Sequence, residues 1–167
     1  QGLFLALFAA ELSGAATDAA DFQVVGSVIA LALCGLGLVA SFFHLGHPER
    51  AWRAAARWRT SWLSREVIVL PALMGAVFVY GLLHWVGWDL TIIGIDTGVP
   101  GDLTLLVGAG GTVFAFALFL CTGMIYACIK FLQEWATWLT VVNYTLFGGA
   151  SGFMLATHDM EIRGAGE

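Results

Sequence analysis

The sequence predicts an all-α fold: a polytopic transmembrane helix bundle with four complete spans plus the end of a preceding one. Composition and the length of the apolar runs carry this. Of 167 residues, 59% are hydrophobic and only 11% charged, whereas soluble domains run at about 45–50% apolar and about 25% charged. Mean hydropathy is +0.85. The apolar residues fall in long continuous runs, unlike the short alternating strands of a membrane barrel. The same composition excludes a soluble enzyme and a disordered chain. Seven Lys and Arg against twelve Asp and Glu leave no basic field for nucleic acid. Three cysteines without a C-x-x-C pair supply neither a disulfide framework nor a zinc or iron–sulfur ligand set.

A spanning helix needs about 20 apolar residues. The first apolar run, 2–10, stops at Glu11 and is too short. It has no basic leader and no small-residue cleavage site, so it does not read as a signal peptide. It reads as the end of a span that begins upstream, and the chain as a single transmembrane domain cut from a longer protein. The runs 24–45 and 67–88 contain no Asp, Glu, Lys or Arg, and each is long enough to cross. The run 103–129 is longer and has room to tilt. The run 135–157 is the fourth span, and the polar segment 161–167 follows it.

Charge orients these spans. Arg50, Arg53, Arg57, Arg59 and Arg65 all lie between the first and second complete spans, and Lys130 lies before the last. Glu11, Asp18 and Asp21 precede the first span, and Asp89, Asp96 and Asp102 follow the second. The positive-inside rule puts the Arg-rich loop 46–62 and the Lys130 turn in the cytoplasm of a bacterial or archaeal cell. Trp52, Trp58, Trp62, Trp85, Trp88, Trp135 and Trp138 sit at span ends, as interfacial anchors do.

The densest polar information is the string SFFHLGHPERAWRA from Ser41, followed by SWLSREV from Ser61. His44 falls at the end of a helix that Gly46 and Pro48 terminate. Arg50, Arg53 and Arg57 have the spacing of one face of a short interfacial helix. That face suits lipid phosphates or a partner subunit. Ser61 or Ser64 caps the next helix, with Glu66 in its first turn.

These strings resemble the membrane anchor subunits of dimethyl sulfoxide reductase, the DmsC family, which also includes anchors of related molybdopterin oxidoreductases such as sulfite dehydrogenase. The stretch from Tyr126 to Trp135 and the string LTVVNYTLFGGASGF are similar to family members as well. The resemblance implies a protein of about eight spanning helices, of which this chain is the first half. It implies a haem-free site for menaquinol or ubiquinol. It also implies two partners, an iron–sulfur subunit and a molybdopterin catalytic subunit that carry those cofactors. The family's quinol-site histidine maps to His44. Imidazole suits that role because it accepts a hydrogen bond and then a proton near neutral pH. Arg65 and Glu66, on the facing helix end, are the candidates for stabilising charge or relaying the proton. Ser41, Gly46 and Tyr126 are candidates for the quinone pocket, bordered also by Gln133 and Glu134. The direction of electron flow stays open.

Other readings of the residues stay open too. His84 and His158, near helix ends on the other side, suit a bis-histidine haem of a cytochrome b-type anchor, or are interfacial histidines. A non-catalytic scaffold whose Arg loop docks its partner is a third reading. Asn143 and Tyr144, early in the fourth span, read as structural residues, since a buried Asn in a membrane hydrogen-bonds a neighbouring helix. Gly148 and Gly152 form a G-x-x-x-G pair that predicts close helix packing. Cys34, Cys121 and Cys128 read as packing residues.

Overall fold

In the computed structural model the described residues are 1–13, 20–44, 53, 56, 58–87, 102–128 and 136–164. They form five α-helices: α1 (Gly2–Leu12), α2 (Ala20–His44), α3 (Trp62–Val86), α4 (Asp102–Ala127) and α5 (Trp138–Gly164). The last four are long and apolar enough to cross a membrane, and α1 is a shorter apolar helix. Helices are the expected outcome, because a backbone in hydrocarbon must satisfy its own hydrogen bonds. Helix ends differ from the apolar runs by a few residues. Glu11 lies in the last turn of α1 and Asp21 in the first turn of α2, so both belong to helices and not to the loop between them.

Local chemistry marks the boundaries of α3. Ser61 is its N-cap, its hydroxyl accepting from the Ser64 amide at 3.4 Å, and Gly87 ends it in the left-handed conformation at φ 65°. Gly has no Cβ to oppose that conformation. Pro71 lies well inside α3, and the helix continues through it. Its side chain is exposed, and a membrane helix tolerates such a residue.

Helices α2, α3, α4 and α5 pack in chain order, and α1 lies against α5, α4 and α2. The core is where α1 meets the others: Phe4 and Leu7 from α1, Phe22 from α2, Leu73, Val77 and Tyr80 from α3, and Ala115 and Leu118 from α4. Phe4 meets Tyr80 edge to face, with ring centroids 5.3 Å apart, the favoured geometry for an aromatic pair. Leu33, Leu36, Val39 and Phe43 of α2 are exposed, an outward apolar face suited to lipid.

Gly148 and Gly152 do mediate close packing. A Cβ on Gly152 would strike the backbone of Gly2 and Leu3, and a Cβ on Gly2 would strike the Gly148 carbonyl. Helices α1 and α5 therefore run parallel with their backbones in contact. The bundle has two ends. One holds the C-terminus of α2 and the N-terminus of α3, joined by the Arg-rich segment. The other holds the C-termini of α1, α3 and α5.

Candidate functional site

At the Arg-loop end the second helical turn of α3 faces the last turns of α4. Thr122 of α4 donates to Glu66 Oε1 at 2.7 Å. Glu66 thus lies just beyond the first turn of α3, and its partner is on the neighbouring helix rather than Arg65. Arg65 turns the other way. Its Nε donates to the Trp58 carbonyl at 3.0 Å and its Nη2 to the Arg59 carbonyl at 3.1 Å. Its guanidinium also lies over the Trp62 ring, 4.2 Å from the centroid. Arg65 therefore clamps the end of the Arg-rich segment onto the start of α3. Arg59 extends this layer over Trp58, 5.4 Å from that ring.

One helical turn beyond Thr122, Tyr126 reaches the neighbourhood of α5. Its ring centroid is 6.3 Å from that of Tyr144, which packs edge-on against Phe119 at 6.4 Å. Tyr144 is within electrostatic reach of both Tyr126 and Glu66. Tyr126, Thr140, Asn143, Tyr144, Phe147, Gly148 and Ser151 line a half-open groove of about 880 Å³ with Gln1 at its edge. Binding clefts for small molecules fall in the range of roughly 300–1,000 Å³, apolar in the main with a few polar groups. Gln1, the residue before α1, is among the lining residues, so the groove prolongs the line of α1 along α5. Asn143 is exposed and faces this groove.

His44 is the last residue of α2 at the same end of the bundle, and Ser41, three residues earlier, is exposed. The His44 side chain, Gly46, His47, Arg50, Arg57, Gln133 and Glu134 lie outside the described residues. Arg53 is exposed, and its carbonyl accepts from the Ala56 amide at 3.2 Å. The structure thus brings Glu66 and Tyr126 to one end with Thr122, Asn143 and Tyr144. Thr122 does not stand out in the sequence. Its only signal there is a hydroxyl one turn before Tyr126.

A second polar cluster occupies the opposite end. Tyr80 Oη donates to Glu11 Oε2 at 2.5 Å and lies 3.3 Å from Gln23 Oε1. His84 Nε2 is 3.4 Å from Glu11 Oε1, and His84 Nδ1 is 2.9 Å from the Tyr80 carbonyl. Gln23 Nε2 donates to the Leu7 carbonyl at 3.2 Å, and Thr104 of α4 bonds the Glu11 carboxylate. Both ring nitrogens of His84 are thus engaged, while His158 borders an apolar cavity between α1, α2 and α5. Among the described residues no group of three or more His, Cys, Asp or Glu side chains could hold a metal ion.

Residues 1–163 match the family described as "DMSO reductase anchor subunit (DmsC)". The chain is 56% identical over 160 residues to a protein of Allochromatium vinosum, the C subunit of its sulfite dehydrogenase. That match covers 93% of this chain and 49% of the relative, so the chain spans about half the length of the curated relative it matches. No solved structure matches the chain.

Proposed function

The chain belongs to the family of DMSO reductase anchor subunits (DmsC), and on that premise we propose that it binds quinone at the Arg-loop end of a multi-pass membrane bundle and exchanges electrons with an iron–sulfur subunit of a molybdopterin oxidoreductase. The observation that carries this reading is the Glu66–Thr122 hydrogen bond, one helical turn from Tyr126 and at the end where α2 finishes in His44. The Allochromatium vinosum relative, described as a sulfite dehydrogenase subunit, supports the quinone-reducing direction, with electrons arriving from the catalytic partner.

Reduction of a quinone to a quinol consumes two electrons and two protons. This chain's residues handle the protons and the headgroup. Glu66 is an ionisable group inside a span and turned to a neighbouring helix, and such groups serve proton relays in membrane proteins. Thr122 holds its carboxylate towards α4. His44 supplies an imidazole whose ordinary pKa lies near neutrality. Tyr126 and Asn143 offer donors to a quinone carbonyl, and Phe147 with Tyr144 gives the ring an apolar wall. Arg65 ties Trp58 and Arg59, the end of the Arg-rich segment, to the start of α3, and Arg50, Arg53 and Arg57 give that segment the charge to dock a partner subunit or lipid phosphate.

The test uses the full-length protein in its complex. Sulfite-driven reduction of a short-chain quinone is measured in membranes with wild type, His44→Ala and Glu66→Gln, with assembly checked on the same samples. Loss of quinone reduction in both variants, with activity of the catalytic partner towards an artificial acceptor retained, supports the reading. Unchanged quinone reduction contradicts it and leaves a scaffold role.

A further inference from the structure

The quinone reading makes no use of the polar cluster at the far end of the bundle. Its chemistry is specific. The Tyr80 carbonyl beside His84 Nδ1 can only accept, so Nδ1 carries a proton. His84 Nε2 then faces a carboxylate oxygen of Glu11, at 3.4 Å. A neutral imidazole with Nδ1 protonated has a lone pair at Nε2, and an ionised carboxylate has only lone pairs. Two acceptors facing one another repel, so the contact favours a proton between them. With that proton the pair is either imidazolium and carboxylate or imidazole and carboxylic acid. Tyr80 donates to the other carboxylate oxygen, and Thr104 bonds the same group.

The pair is accessible. The His84 and Glu11 side chains retain 14% and 18% of their exposure. Glu11 is one residue from the end of α1, and His84 is three before the Gly87 cap of α3. Inward, the polar character ends at Ser27, one turn beyond Gln23 on α2. Ser27 is buried, and its hydroxyl has no hydrogen-bond partner. Thr112, Thr145, Ser151 and Thr157 all donate back to carbonyls of their own helices. A buried hydroxyl beside a polar cluster, without a protein partner, is a group that a bridging water would satisfy. Beyond Ser27 the core is apolar, with Ala30, Leu73, Val77, Ala115 and Leu118, so the cluster opens to one face only.

We propose that Glu11 and His84, with Tyr80, Gln23 and a water at Ser27, form a proton-exchange site that takes up and releases one proton at the membrane face opposite the Arg-rich loop. When the proton leaves to water, the pair becomes carboxylate and neutral imidazole; when it returns, the pair is again singly protonated. A purely structural tie is the weaker explanation, because apolar residues of similar size often replace a buried ion pair without loss of stability. Every element packed there contributes. Helix α1 gives Glu11, α2 gives Gln23 with exposed Asp21 nearby, α3 gives Tyr80 and His84, and α4 gives Thr104. At this end of α5 the described titratable groups are His158 and Asp159, on the cavity between α1, α2 and α5, and exposed Glu161. The proposal does not depend on the quinone reading.

The experiment uses the full-length protein in its complex, reconstituted with isotope-labelled histidine in phospholipid vesicles. The His84 imidazole resonance is identified by its loss in His84→Asn and followed against pH. The expected result is one titration step in wild type. Its midpoint falls by about one to three pH units in Glu11→Gln, and by less in Glu11→Asp, which keeps the charge if Glu11→Gln fails to assemble. A pH step applied to one face moves the resonance only from the far face. Infrared difference spectra in oxygen-isotope-labelled water show a water stretch that Ser27→Ala removes. A midpoint unchanged in the Glu11 variants, or a response confined to the Arg-loop face, overturns the site. A spectrum in which Ser27→Ala removes no water band overturns its inner boundary.

Discussion

Gly2 of α1 and Gly152 of α5 meet backbone to backbone, so that a Cβ on Gly152 has no room against the Gly2 carbonyl group. This contact fixes α1, and with it Glu11, relative to the other spans. Close approach through small residues is the main route to helix association in lipid, where apolar burial alone offers little drive. Gly152→Ala is expected to cost about 1–3 kcal/mol, as overpacking does, because the obstructing atoms are backbone and cannot rotate away. Gly149→Ala, with nothing near its Cβ position, leaves stability unchanged. Thermal unfolding of the two variants in detergent checks the contrast.

Tyr80→Phe keeps the edge-to-face contact with Phe4 and removes the hydroxyl bonded to Glu11. A half-buried carboxylate then loses a donor. Hydrogen bonds to charged groups contribute about 1.5–3 kcal/mol, and the variant is expected to lose stability at the lower end of that range. Unfolding in graded denaturing detergent measures it, with Phe4→Leu as a packing control.

Arg65→Lys separates charge from geometry. Lysine keeps the positive charge but cannot bond the Trp58 and Arg59 carbonyls in a fork while stacking on Trp62. The Arg-rich segment is expected to loosen, and trypsin cleavage at Arg57 or Arg59 to accelerate about fivefold, equivalent to about 1 kcal/mol. Proteolysis time courses on opened vesicles check this.

Thr122→Val removes the donor to Glu66 at nearly constant volume, whereas Thr122→Ser keeps it. On the quinone reading, Thr122→Val weakens a quinone-site inhibitor about three- to tenfold and Thr122→Ser leaves it unchanged. Inhibition curves of sulfite-driven quinone reduction measure both.

The spans, the Ser61 cap and the Gly148–Gly152 packing pair are legible in the sequence because each is a local pattern: an apolar run, a capping residue, a four-residue spacing. The two polar sites are not, because their partners are far apart in the chain. Glu66 and Thr122 are 56 residues apart, and Glu11 and Tyr80 are 69 apart. Glu11 reads as a loop acid until α1 is seen to continue past it. A signal is nevertheless present. Gln23 with Ser27, and Tyr80 with His84, are polar pairs four residues apart at the same membrane level of two successive spans. Such spacing puts each pair on one helical face. Arg65 and Glu66 are adjacent in sequence but point apart, because neighbouring helical residues differ by about 100° in direction.

The central claim is a quinone site at the Arg-loop end built around Glu66 and His44. The most direct measurement is titration of a fluorescent quinone-site inhibitor into membranes holding the full-length complex, as wild type, His44→Ala and Glu66→Gln. An optical spectrum and an assembly check are taken on the same samples. The account predicts at least about a tenfold loss of affinity, roughly 1.4 kcal/mol, in each variant with assembly intact. Wild-type affinity in both variants would contradict it.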